Sequence, residues 1–298
     1  MSSNHRIENV SDTSLWVAAY RALESERLDA LFNDPFAGLL TGERGLQLAR
    51  SAQTSRFTAW AVVTRTCIID DYIRMAVEEG VTTVLNLGAG LDTRPYRLQL
   101  PAGLHWVEVD FPNIVALKNE RLADKTPRCQ LERIELDLSD HDKRLELFSD
   151  IASHSPKTLV ITEGLLSYLT VPQAGSLADD LRCQEGFVFW IADFMVPPMI
   201  GLMKFGVRFR RDIKNAPVQF FPEDWLAFFR EHGWTPREQR YYADEAQKLG
   251  RAAPQLLWLR LLLFLIVGRK YGSLGRFGSR FGGYALYEAD RGRKAGGE

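Results

Sequence analysis

The sequence predicts an α/β protein built on a Rossmann-like, mostly parallel sheet, and three observations carry that expectation. From Val81 onward, short apolar runs alternate with segments of helical period, the pattern of parallel βαβ units. The first such run ends in a glycine-bearing turn, VLNLGAGLDTRPYRL; glycine at a strand's carboxyl end lets a ligand approach the backbone closely. Ahead of Val81 the chain reads as helices alone.

The segment SDTSLWVAAYRALESERLDALF is expected to be the first of these, capped by Asp12, Thr13 or Ser14, with DPFAGLL turning the chain into another. Between Ala61 and Val77, Ile69, Tyr72, Ile73, Ala76 and Val77 recur at helical spacing, on a helix that also carries Arg65 and Asp70. The runs read as strands are VTTVLNLG, LHWVEVD, QLERIELDL, KTLVITEG, GFVFWIADF, the weaker PREQRYY, and GYALYEAD. Val196 to Phe221 and Ala243 to Gly282 break the rhythm and read as insertions lying over a ligand, since loops beyond strand ends carry function on a rigid sheet. The tail from Asp290 is expected to fray.

Composition narrows the class. With 37 Lys+Arg against 38 Asp+Glu and a net charge of -1, no global field favours nucleic acid or an anionic membrane. The 3 cysteines, Cys67, Cys129 and Cys183, form no CxxC pair, which fits a reducing, cytoplasmic setting without disulfides. The polar N-terminus lacks the apolar core of a secretory signal. The most apolar run, Leu256 to Val267, is interrupted by Arg260 and falls short of the ~20 residues of a membrane span. It reads instead as core, as an oligomer surface or as the wall of an apolar pocket. The 5 histidines show no metal spacing, and GxSxG, HExxH and Walker patterns are missing.

The chemistry gathers at the strand ends. Gly88 and Gly90 form the first loop, but Thr93 stands where a dinucleotide fingerprint wants a third glycine to bring a helix N-terminus against a pyrophosphate. S-adenosylmethionine carries no phosphate, so the shorter glycine loop suffices for it. Roughly twenty residues on, LHWVEVD ends in Asp110, where such folds hold an acid for ribose hydroxyls. The third run ends in ELDL, where Asp137 is either an adenine acceptor, with the Leu138 amide beside it, or a helix N-cap. ITEGLLSYL puts Glu163 in the central crevice, where a carboxylate faces a cationic ligand.

Taken together, NLGAGLDTRPYRL, EVDFP, ELDL and ITEGLLSYL, with the early SLWVAAYRALES and DPFAG, resemble the leucine carboxyl methyltransferase family, and within it a bacterial branch that includes polyketide O-methyltransferases. The resemblance implies a class I methyltransferase fold of seven strands, the last, GYALYEAD, antiparallel. It implies S-adenosyl-L-methionine as cofactor, with Gly88 and Gly90 beside its methionine part, Asp110 on the ribose, Asp137 and Leu138 on the adenine, and Glu163 near the amino or sulfonium end. Arg65, in TRTCIIDDYI, then matches the family's arginine for the methionine carboxylate, for which a guanidinium supplies a bidentate grip. The expected organisation is one domain, with residues 1–80 a helical cap, 81–195 the cofactor-binding half and 196–290 the acceptor-side half.

The expected reaction is methyl transfer to a carboxylate or hydroxyl oxygen of a small molecule, polyketide-like or another secondary metabolite. Such a displacement asks the protein mainly to align the reacting atoms. A carboxylate acceptor is already anionic, whereas a phenol benefits from a general base. Glu163, Tyr168 and His232 are the candidates for that role. Two rivals stand beside this reading: a nicotinamide-dependent oxidoreductase on a Rossmann sheet, and a ligand-binding or membrane-surface protein docking through Leu256 to Val267. The segments by which the family's eukaryotic members would grip a protein C-terminus are not recognisable, which favours a small-molecule acceptor.

Overall fold

The computed structural model describes residues 10–51, 55–196, 218–251 and 282–291. Three helices come first: α1 (Val10–Ser25), α2 (Ala37–Ser51) and α3 (Ser55–Glu78). Asp12, Thr13 and Ser14 therefore lie inside α1, not at its cap, and α1 stops at Ser25, before the expected LDALF. The chain leaves the helix there because Ser25 Oγ binds back to the Arg21 carbonyl and then accepts the Asp34 N–H, shaping the following turn.

All seven expected strands form: β1 (Thr83–Leu87), β2 (His105–Asp110), β3 (Gln130–Glu135), β4 (Thr158–Thr162), β5 (Phe187–Met195), β6 (Trp234–Tyr241) and β7 (Gly282–Ala289). Their order across the sheet is β3-β2-β1-β4-β5-β7-β6, with β7 antiparallel to both neighbours and the other pairs parallel. Between them come α4 (Arg94–Arg97), α5 (Pro112–Arg121), α6 (His141–His154), α7 (Val171–Cys183), α8 (Trp225–Glu231) and α9 (Tyr242–Lys248). β1 and β4 are buried at every position, which is why they read as mainly apolar runs, the buried Asn86 of β1 being paired with Asp92: helices cover both faces of a parallel sheet. β6 was the faint run because it is an edge strand, with Pro236 beside a register shift where a ladder hydrogen bond can be spared.

The core lies on both faces. One side packs Trp190, Ala192, Phe194 and Tyr287 against α6, α7 and α8. The other packs Ile191, Tyr284 and Leu286 against Ile68, Ile69, Tyr72 and Ile73 of α3. The second expected insertion does not begin irregularly: Tyr242–Lys248 is helical, its acids Asp244 and Glu245 in the first turn and Lys248 in the last, as the helix dipole favours. Leu256 to Val267 with the rest of residues 252–281, residues 197–217 of the Val196 to Phe221 segment, and the tail beyond 291 lie outside the described residues.

Candidate active site

In a parallel sheet of this order, the loops after β3, β2, β1 and β4 stand side by side at the carboxyl edge. The β1 loop turns sharply. Gly88 and Gly90 have φ of 64° and 49°, which side-chain-bearing residues rarely adopt, and the Gly88 and Ala89 N–H groups donate to the Val109 carbonyl, folding the loop over β2. The Gly90 N–H then donates to Asp110 Oδ2 at 2.6 Å, and Phe111 N–H to Asp110 Oδ1 at 2.7 Å. Burial pushes the Asp110 carboxyl up, and these two hydrogen bonds counter it only in part.

At the next strand end, Asp137 is exposed and accepts the Ser139 N–H, while the cap of α6 is Asp140, whose side chain accepts from Lys143 N–H. Asp137 is therefore not the helix cap that sequence left open. Leu138, half-buried, packs against the core, and its carbonyl accepts from Arg144.

Glu163, after β4, meets two arginines. Arg94 Nη1 donates to Oε2 at 2.7 Å, and Arg65 Nε stands 2.9 Å from Oε1 with its N–H not directed at that oxygen. Burial alone would raise the Glu163 carboxyl, but Arg94 and Arg65 hold it below the usual carboxylate range. It is thus a firm anion and a weak proton acceptor at neutral pH. Tyr168, on the 3₁₀ turn Leu166–Tyr168, has its hydroxyl raised by burial and keeps its proton. His232 drops out on topology. It immediately precedes Gly233 and β6, which runs parallel to β5, so it sits at the amino edge of the sheet, bonded to Asp179 of α7 at 2.6 Å.

Arg94 is the hub that sequence reasoning missed, although it lies within the quoted TRPYR. Only 2% exposed, it donates through Nε to Asp70 and through Nη1 to both Asp92 and Glu163. Arg97 grips both Asp70 oxygens, at 2.6 and 2.8 Å. Asp34, from the DPFAG turn, accepts from Arg21 at 2.8 Å and from Thr93 Oγ1 at 2.7 Å. Burial would raise the Asp34 carboxyl, yet Arg21 and Arg97 pull it down. The buried network so couples α1, the DPFAG turn and α3 to the glycine loop.

Asp193, near the end of β5, was also missed. It lies opposite Tyr284 of β7 in the ladder, on the sheet face that α3 covers, and its Oδ1 is buried with no hydrogen-bond partner. Burial is the largest influence on it; with Arg65 and a Ser167 hydrogen bond only partly offsetting that, its carboxyl is pushed up to about 6. Among the described residues, no group of three or more His, Cys, Asp or Glu could hold a metal ion, and no helix is long and apolar enough to cross a membrane.

This architecture matches solved proteins. A methyltransferase from Thermobifida fusca superposes over 97% of this chain and 97% of its own, with a TM-score of 0.53 at 15% identity. A DUF574 family protein from Streptomyces avermitilis does so over 92% and 96%, with a TM-score of 0.54 at 12% identity. Among sequences, proteins named S-adenosyl-L-methionine-dependent methyltransferases are 32% identical over 77% of this chain and 78% of their own length in Parafrankia, and 30% identical over 81% and 89% in Frankia alni. A relative so named in Mycobacterium tuberculosis is 30% identical over 83% of this chain and 87% of its own. The leucine carboxyl methyltransferase model matches residues 14–182, the span holding every strand-end loop from β1 to β4 and the helices tied to them. The chain therefore belongs to the leucine carboxyl methyltransferase family and carries the class I methyltransferase fold.

Proposed function

We propose that this protein transfers the methyl group of S-adenosyl-L-methionine to an oxygen atom of a small molecule. The observation that carries the reading is the arrangement of the β1 to β4 loops. Glycines with positive φ, the Asp110 carboxylate, the Asp137–Leu138 turn and the Arg65–Glu163 pair follow one another along a single sheet edge, in the order that a nucleoside joined to an amino acid requires. Asp110 takes the ribose hydroxyls, Asp137 and the Leu138 amide the adenine edge, and Gly88 and Gly90 leave room for the backbone to approach the methionine portion. Arg65 holds the carboxylate of that portion; its Nε–H, not aimed at Glu163, is consistent with a second partner. Glu163 keeps Arg65 in place and faces the cationic end. When bound, the cofactor supplies a methyl group activated by a positively charged sulfur.

The nicotinamide reading is disfavoured at the same loop. α4 is only 4 residues long, and the Arg94 N–H at its start donates to Asp92 Oδ1 at 2.9 Å, so a pyrophosphate would meet a carboxylate in the place where it needs amides. Asp92 is held far below its ordinary range, since Arg94 and Lys118 overcome its burial, and stays negative.

The oxygen acceptor is supported by the likeness of the strand-end motifs, together with SLWVAAYRALES and DPFAG, to the family's bacterial branch that includes polyketide O-methyltransferases. On this reading the chain is one catalytic unit, and the acceptor is a polyketide-like metabolite. Isothermal calorimetry tests the reading most directly: S-adenosylhomocysteine should bind at micromolar or better affinity, and NADH should give no heat. The reverse pattern would overturn it.

A further inference from the structure

We propose that Asp193 is the proton acceptor of the reaction, and that the oxygen methylated is therefore an uncharged hydroxyl, not a carboxylate. This rests on the methyltransferase reading above and narrows its acceptor.

The argument begins with an unmet hydrogen bond. Asp193 Oδ1 is buried from solvent with no donor against it, whereas most buried polar atoms are paired. Leaving a buried acceptor unpaired costs free energy that a ligand donor would restore. The position suits such a donor. β5 neighbours β4, so Asp193 stands beside the loop of Glu163 at the carboxyl edge, and Arg65, Glu163 and Tyr168 all lie within electrostatic reach of it. From β7 and α9 it is faced by Tyr284 and Tyr242, and from the 3₁₀ turn by Ser167, which hydrogen-bonds to it.

The charge inventory then chooses the acceptor. Among these groups Arg65 is the one cation, and Glu163 already opposes it. A carboxylate acceptor would bring a second anion against Asp193 and carry no proton for Oδ1. A hydroxyl brings the missing donor and no charge. The Tyr242 and Tyr284 rings, edge to face at 6.1 Å, and Trp60, 6.2 Å from Tyr242, flank this end with aromatic surface, so the matching acceptor is an aromatic alcohol. In the transfer, a lone pair of the hydroxyl oxygen forms the new bond to the methyl carbon as the carbon–sulfur bond breaks and its electron pair returns to sulfur. The hydroxyl proton goes to Asp193 Oδ1. A carboxylate titrating near neutrality is better matched to this task than Glu163, held low, or Tyr168, which keeps its own proton.

The test uses the full chain saturated with S-adenosylhomocysteine and two probes that differ only in the acceptor group, 2-naphthol and 2-naphthoate, with binding measured by calorimetry at pH 7.5. The wild type should bind 2-naphthol at least tenfold more tightly than 2-naphthoate. Asp193→Asn should lose most of that preference while binding S-adenosylhomocysteine as the parent does, and with radiolabelled methyl donor its turnover of 2-naphthol should fall at least a hundredfold. Preference for 2-naphthoate, failure of the saturated protein to bind 2-naphthol, or equal turnover by Asp193→Asn would overturn the proposal and leave the methyltransferase reading standing. Failure of the wild type to bind S-adenosylhomocysteine would instead overturn that reading.

Discussion

Arg94 and Asp70 form an ion pair of 2.7 Å with both side chains 3% exposed, and through it the loop that follows the first strand is fastened to the helix that precedes it. Asp70 is shared with Arg97, and Arg94 with Asp92 and Glu163, so neither partner of the pair can be removed alone without stranding the others. The site is thereby held by charge pairing between segments far apart in sequence.

Removing the hub should be costly. Arg94→Met takes the guanidinium from buried Asp92 and halves the pairing of Glu163 and Asp70, which keep Arg65 and Arg97, and breaking a buried pair on one side typically costs about 3–5 kcal/mol. Denaturant unfolding should show a loss of that size, whereas Lys125→Met, whose partner Asp124 lies at the exposed surface, should change stability by less than about 1 kcal/mol. Equal, small effects from the two would show the network to be energetically idle.

Cofactor affinity should respond at Asp110 and Arg65. Asp110→Ala is expected to weaken S-adenosylhomocysteine binding by about 1–3 kcal/mol, the range for hydrogen bonds to a charged group. Arg65→Lys keeps the charge and loses the fork, so its affinity should fall as well. Calorimetry on both variants, with thermal unfolding as a check on folding, measures this; unchanged affinity in either removes that residue from the site.

The glycine loop should not accept a side chain. At Gly88, φ is 64° and a Cβ would stand 3.3 Å from Leu165 Cδ1, so Gly88→Ala meets backbone strain as well as a tight contact. A left-handed residue other than glycine costs roughly 1–2 kcal/mol, and the midpoint of thermal unfolding should fall accordingly. Gly80→Ala also has a positive φ, of 85°, but meets nothing within 4 Å; its cost should be strain alone, without any loss of cofactor affinity.

Two carboxylates should bias stability in opposite directions with pH. Asp193 titrates in the folded state at about 6, raised from 3.8, so folding favours its protonated form. Its contribution is fully present below about pH 4 and is lost as pH rises through 6, where ionisation opposes folding by roughly 1–3 kcal/mol. Asp193→Asn should therefore be more stable than the parent at pH 7.5, with the gain fading by pH 4. Glu163, depressed by its arginines, contributes stability that is present above its unfolded value and lost as pH falls through its folded one. Glu163→Gln should therefore be less stable than the parent at pH 7.5, the deficit narrowing in acid. Unfolding curves across pH for both variants check the two signs together.

The sequence by itself determined the seven strands, the glycine turn and the acids at successive strand ends, because these are local facts. A strand buried on both faces is mainly apolar, and a turn with positive φ favours glycine. Tertiary structure decided what the charged residues do. On α3, Arg65 and Asp70 look in sequence like members of an ordinary helix; only the packing of that helix over the sheet buries Asp70 against Arg94 and Arg97 and brings Arg65 to Glu163. Likewise Asp193 ends an apolar run as any strand-terminal acid does. Its unpaired oxygen exists only because β4, β7 and α3 meet around it and exclude water. Local pattern reports whether a residue is buried by its own element's period, whereas charge pairing, desolvation and the resulting shifts in acidity arise between elements, from distances that the linear chain does not contain.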